Sequence, residues 1–135
     1  MLNPNGVLII SNNPLVKGIL SSTYRIDFID GGYEDVLIKV RDKVYLGHEL
    51  LSHPLSGSVK PHETPYKSVL VSIPTTTLDA EMADIISTAI ETAQKFEHQK
   101  RELTPKIHED FQLIDYTLIA SALDYEAIQG LNHMK

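Results

Sequence analysis

LLSHPLSGSVKPHETPYKSVLVS, residues 50–72, is the stretch on which the layout of the chain turns. It holds two short apolar runs of β type, separated by a connection with three prolines, two lysines and two histidines. HELLSHP (48–54) reads as a short strand entering the connection. KSVLVSIP (67–74) reads as another leaving it, because Val69 and Val71 are β-branched and Pro74 stops the run. Counting both as strands makes four in the chain.

Upstream, GVLII (6–10) is continuous, apolar and β-branched, as in a strand buried on both faces, and SNNP (11–14) ends it. Pro14 suits the first turn of a helix, with Asn13 or Asn12 as its cap, although Gly18 and the following serines keep it short. YRIDFID (24–30) alternates in strand fashion, and Gly31-Gly32 breaks it. From Tyr33 to Leu46 the period becomes helical: Tyr33, Val36, Leu37, Val40 and Val44 fall on one stripe, with Tyr45 at its margin, and Gly47 suits the helix C-terminus.

Downstream, Leu78, Met82, Ile85, Ile86, Ala89, Ile90, Ala93 and Phe96 form one apolar helical face, with Thr77 as the expected cap. A charged linker over 97–104 leads to Pro105 and a last helix. There Ile107, Phe111, Ile114, Leu118, Ala122 and Leu123 make the expected core stripe, and the pattern weakens from Glu126 onward as in a fraying end. This order of elements predicts a single α/β domain over 1–135, with its core over about 7–123. Right-handed crossovers place the first and third strands side by side, with the second outside them. The expectation is a small three-layer Rossmann-like sandwich, with a mostly parallel four-stranded sheet and two longer C-terminal helices.

An open sheet of that kind holds its ligand beyond the carboxyl ends of its strands. The segments leaving the first and third strands are SNNP and SHPLSGSVKP. Ser56, Gly57 and Ser58 supply hydroxyls and a pliable backbone for an anion, and Lys60 and Lys67 supply positive charge. Asn12 and Asn13 add amide groups from the neighbouring strand end, and Tyr66 adds a phenol. His53 is the candidate acid or base, since histidine titrates near neutral pH. Pro54, Pro61 and Pro65 restrict the unfolded connection, so ordering it costs less.

Composition narrows the function classes. Twelve Lys and Arg against eighteen Asp and Glu give a net charge of −6, which disfavours nucleic acid as a partner. There is no cysteine, so disulfides and thiolate chemistry are excluded, in keeping with a cytoplasmic protein. The opening residues have neither the basic start nor the length of a signal peptide or membrane span. His48, His53 and His62 lack metal-ligand spacing, a Ser56–His53–Asp30 triad rests on residue type alone, and no cofactor-binding glycine pattern is present.

IISNNP, the long HPLSGSVKPHETPYKS run and IHEDFQLIDYTLIASAL together resemble the GrdX family, over about Val7 to Leu123, with His62 where that family carries asparagine. These are small proteins associated with the glycine, sarcosine or betaine reductase systems of amino-acid-fermenting bacteria. The resemblance implies an accessory protein with no assigned catalytic residue. It marks Asn12, Asn13, Pro14, His53, Pro54, Ser56, Gly57, Ser58, Lys60, Pro61 and Glu63 to Ser68 as motif positions. The functional expectation is therefore an accessory protein that binds a small anionic ligand, or a reductase component, through loops 11–14 and 53–68. The alternative is a small enzyme with His53 as acid or base. A homodimer through an edge strand or the last helix is a further expected assembly.

Overall fold

The computed structural model describes residues 4–55, 64–75, 78–96 and 102–133, the last four in backbone only. Its elements run β1 (Val7–Ser11), α1 (Pro14–Leu20), β2 (Arg25–Phe28), α2 (Tyr33–Tyr45), β3 (Ser68–Ser72), α3 (Ala80–Lys95) and α4 (Pro105–His133). The strands form one sheet in the order β2-β1-β3, with β1 parallel to β2 and antiparallel to β3.

This corrects the expected four-stranded, mostly parallel Rossmann-like sheet. HELLSHP is not a strand; it makes a single isolated bridge, Leu50 to Val71. The reason lies in its serines. Leu70 N–H donates to Ser52 Oγ at 2.9 Å and Glu49 N–H donates to Ser72 Oγ at 2.8 Å, so hydroxyls intercept groups that a regular ladder would pair. Leu51 N–H still reaches Leu70 carbonyl at 2.9 Å, and the segment lies along the outer edge of β3 without joining the sheet as a strand. The last apolar run, now β3, takes the place beside β1 that the sequence reading gave to HELLSHP.

Helices cover both faces of the sheet, and period-two alternation sorts the strand side chains between them. Ile10, Val69 and Val71 pack with Val36, Leu37 and Val40 of α2 and with Ile86, Ala89 and Ile90 of α3. Val7, Ile9 and Leu70 pack on the other face against Val16 of α1 and Ile119 and Leu123 of α4. β1 is the middle strand and β3 is buried along its whole length, which explains their unbroken apolar runs.

Local signals hold at the start of α1 and the end of α2. Asn13 caps α1, accepting from Leu15 N–H at 3.0 Å, with Pro14 at the first helical position. Gly47 closes α2 at φ 99°, where Gly47 N–H reaches Val44 carbonyl and His48 N–H reaches Lys43 carbonyl, the paired bonds of a Schellman motif. Gly47→Ala is expected to cost about 1 kcal/mol or more in urea unfolding, since alanine strains at that φ. A loss near zero would mean that the turn relaxes.

Two helix details differ from expectation. Asp79 caps α3 through bonds from Glu81 and Met82 N–H, whereas Thr77 lies outside the described residues. In α4 the buried stripe is Asp115, Ile119 and Leu123, while Ile114 is turned outward; the helix also continues through the weak tail to His133. Apolar residues occur on several sides of α4, so periodicity does not single out the inner one. Among the described residues, no helix is long and apolar enough to cross a membrane.

Candidate functional site

Because β1 and β3 are antiparallel, the end of β1 and the start of β3 lie together, and SNNP meets YKS there. Asn12 fastens the junction. Its Nδ2 donates to Gly31 carbonyl at 3.0 Å and Pro65 carbonyl at 2.8 Å, and its Oδ1 accepts from Lys67 N–H at 2.8 Å. Both amide hydrogens and the amide oxygen are thus engaged in holding three chain segments.

A buried polar chain continues from Asn13. Its N–H donates to Ser11 Oγ at 2.9 Å, Ser11 and Ser68 hydroxyls lie 2.7 Å apart, and Ser68 Oγ donates to Asp115 Oδ2 at 2.6 Å. Ser68 gives its only hydroxyl proton to the carboxylate, so Ser11 is the donor between the two serines. Asp115 also accepts from Ser68 N–H at 3.0 Å and from Asn13 Nδ2 at 3.0 Å. A carboxylate only 6% exposed is therefore held by three donors from β1's end and β3's start.

Lys67 and Tyr33 lie near this carboxylate, and with it they line a cavity of about 20 Å³ whose walls include Thr64, Tyr66, Phe111 and Leu118. Lys67 is 3% exposed. Burial pushes its ammonium down to about 8, and the neighbouring Asp115 charge opposes that fall. Burial, with Asp115 adding to it, pushes the Tyr33 phenol well above its ordinary value, so Tyr33 remains a hydrogen-bond donor at working pH. Tyr66 OH meets His108 Nδ1 at 2.9 Å and accepts from Gln112 Nε2 at 2.9 Å, tying the approach to β3 onto α4.

The arrangement has definite chemical capacities. A lysine at about 8 is mostly cationic at neutral pH with a neutral fraction, in surroundings of low polarity where charge interactions are strong. The enclosed space admits a water or one end of a small anion, and no bulky cofactor.

The expected site residues divide into groups. Asn12, Asn13, Tyr66 and Lys67 come together here, with the two asparagines engaged in internal bonds. His53 lines a different groove, of about 330 Å³, with Leu55, Glu81, Asp84 and Ile85, and its Nδ1 accepts from Leu55 N–H at 3.0 Å. Ser56, Gly57, Ser58 and Lys60 lie outside the described residues. Asp115, Tyr33, Gln112 and His108 are absent from the sequence-derived set. One signal for Asp115 was available: it stands four residues before Ile119 and eight before Leu123, an acid on the line of two apolar residues.

The family model for GrdX-like proteins matches residues 8–124 of the chain, a span that runs from the second residue of β1 through most of α4. No curated protein and no solved structure matches it.

Proposed function

The chain belongs to the GrdX-like protein family, and from that membership we propose an accessory protein of the glycine reductase type. It binds the carboxylate or phosphate end of a small ligand, or an acidic group of a reductase component, at Lys67. One observation carries this reading: a lysine is buried beside a firmly held aspartate and two tyrosines in a cavity sized for a small group. Burying an ammonium is costly, and a titratable group perturbed by burial at a cavity is a marker of functional use, which supports this reading. The 11–14 loop acts as scaffold for Lys67. The 64–67 end of the long connection supplies the contact residues, and Ser56, Gly57, Ser58 and Lys60, outside the described residues, are kept as proposed ligand contacts.

The small-enzyme alternative, with His53 as acid or base, draws on the larger groove. Glu81 and Asp84 flank it, and their charge disfavours an anionic substrate there.

A thermal-shift panel of phosphate, acetate, glycine and longer amino acids separates these readings. At least one anion is expected to raise the melting temperature of the natural chain by several degrees, with the rise absent in Lys67→Met and retained in His53→Gln. Equal shifts in the natural chain and Lys67→Met, or no shift with any anion, would overturn the Lys67 reading.

A further inference from the structure

RIDF, the sequence of β2, forms an outer strand of the sheet with β1 as its neighbour. Backbone groups of successive strand residues point to opposite sides. Ile29 N–H donates to Ser11 carbonyl at 2.8 Å, so Arg25, Asp27 and Ile29 turn their backbone groups to β1. Ile26 and Phe28 therefore turn theirs outward, and among the described residues no other strand lies on that side. The N–H and C=O of both residues are left there for a further strand. Side chains alternate as well. Ile26 and Phe28 lie on the α1 face, where Lys17 Nζ sits 4.6 Å from the centre of the Phe28 ring. Arg25 and Asp27 lie on the α2 face, where Lys39 and Lys43 approach Asp27 Oδ2 at 3.9 and 3.7 Å.

We propose that this edge takes an extended acidic segment of a partner protein as an added strand, with carboxylates and apolar residues alternating along it. Main-chain bonds to Ile26 and Phe28 supply the attachment, and side chains supply the selection. On the α2 face three cations, Arg25, Lys39 and Lys43, share the single carboxylate of Asp27, so an incoming carboxylate meets more attraction than repulsion. Asp35, one turn along α2 from Lys39, is turned to Gly32 N–H at 2.8 Å. On the α1 face Ile26 and Phe28 are half-buried and offer apolar surface beside Lys17. The same charges disfavour a second copy here. Two β2 edges brought together would set one group of cations against the other, and lysines beside an edge guard it in this way against self-pairing. The edge lies across β1 from β3 and its Lys67 cavity, so it is a separate site and stands without the anion reading.

The probe is a capped peptide of alternating Glu and Val with a terminal fluorophore, titrated with the full chain and followed by anisotropy. Saturable binding that weakens with added salt is expected, with a peptide of alternating Lys and Val bound about tenfold more weakly or not at all. Hydrogen exchange at the Ile26 and Phe28 amides is expected to slow about tenfold or more on binding, with no change at Asp27, whose N–H already faces β1. Phe28→Pro removes one outward donor and leaves the β1 ladder intact, so it is expected to weaken binding about fivefold. Phe28→Val keeps the N–H and is expected to lose less. Lys39→Gln with Lys43→Gln is expected to weaken the acidic peptide about threefold or more. Should Phe28→Pro disturb the fold, the exchange pattern and the lysine variants decide without it. No saturable binding of the acidic peptide overturns the proposal. So does equal affinity for the acidic and basic peptides, or binding that leaves exchange at Ile26 and Phe28 unchanged. Slow exchange of those amides in the free chain, with doubled mass in light scattering, assigns the edge to a second copy and overturns it as well.

Discussion

Asp115→Ala is expected to lower the free energy of unfolding by about 3–5 kcal/mol, because buried donors lose their acceptor and a buried ammonium loses a neighbouring negative charge. Two effects combine. Ser68 N–H and Asn13 Nδ2 lose an acceptor inside the fold, and each buried donor left unmade costs about 1–3 kcal/mol. Lys67 also loses the charge that opposes its desolvation, so its ammonium falls further below about 8. The hydroxyl chain from Ser11 through Ser68 loses its terminal acceptor as well. Asp115→Asn keeps the shape and an oxygen for Ser68 N–H but presents an amide to the Asn13 amide, so an intermediate loss is expected. Urea unfolding of the two variants beside the natural chain measures both. A loss below about 1 kcal/mol in Asp115→Ala would mean that water or relaxation replaces the network.

The second large effect is a rise in stability with pH that belongs to Lys67. Below pH 8 the lysine is charged in the folded and unfolded states alike, and the folded state bears the full cost of burying it. From about 8 to 10.5 the folded state has released its proton while the unfolded state still holds one. More protons are then bound by the unfolded chain, so stability increases across that window. Between pH 8 and 10 the gain is about 2 kcal/mol. Tyr33 works the other way: unfolded, it ionises from about pH 10, while burial keeps it protonated in the fold, so stability falls again above that point. Urea unfolding of the natural chain minus that of Lys67→Met isolates the lysine, because the other groups cancel. The natural chain is expected to gain on the variant from pH 8 to 10, and a flat difference would show that Lys67 titrates as it does in the unfolded chain.

Both effects originate in a contact between α4 and the start of β3, which no local feature of the sequence marks. Ser68 and Asp115 stand 47 residues apart, and Asn13 and Asp115 stand 102 apart. Residue types and their spacing report which side chains favour burial, and they do so well where one face is plainly apolar, as in α2. They serve less well on α4, where the expected stripe includes the buried Leu123 and the half-buried Phe111, Leu118 and Ala122 but also the exposed Ile114, and omits the buried Asp115 and Ile119. Ile114 belongs by apolarity to the core stripe, whereas Asp115 does not. The inner stripe contains an acid, which is stable there only because three donors from elsewhere in the chain converge on it.

What the amino-acid order determined by itself is local. Asn13 and Pro14 start α1, Gly31-Gly32 separates β2 from α2, and Gly47 ends α2 in a left-handed turn. Each follows from the conformational limits of a few neighbouring residues. Only the tertiary structure decided that β3 enters beside β1 and antiparallel to it, and that HELLSHP stays outside the ladder. It alone decided that Lys67 and Tyr33 share their cavity with Asp115. A strand's alternation is the same in either direction and beside either neighbour. The choice among those arrangements is made by the helices packed on the two faces and by buried hydrogen bonds between distant residues.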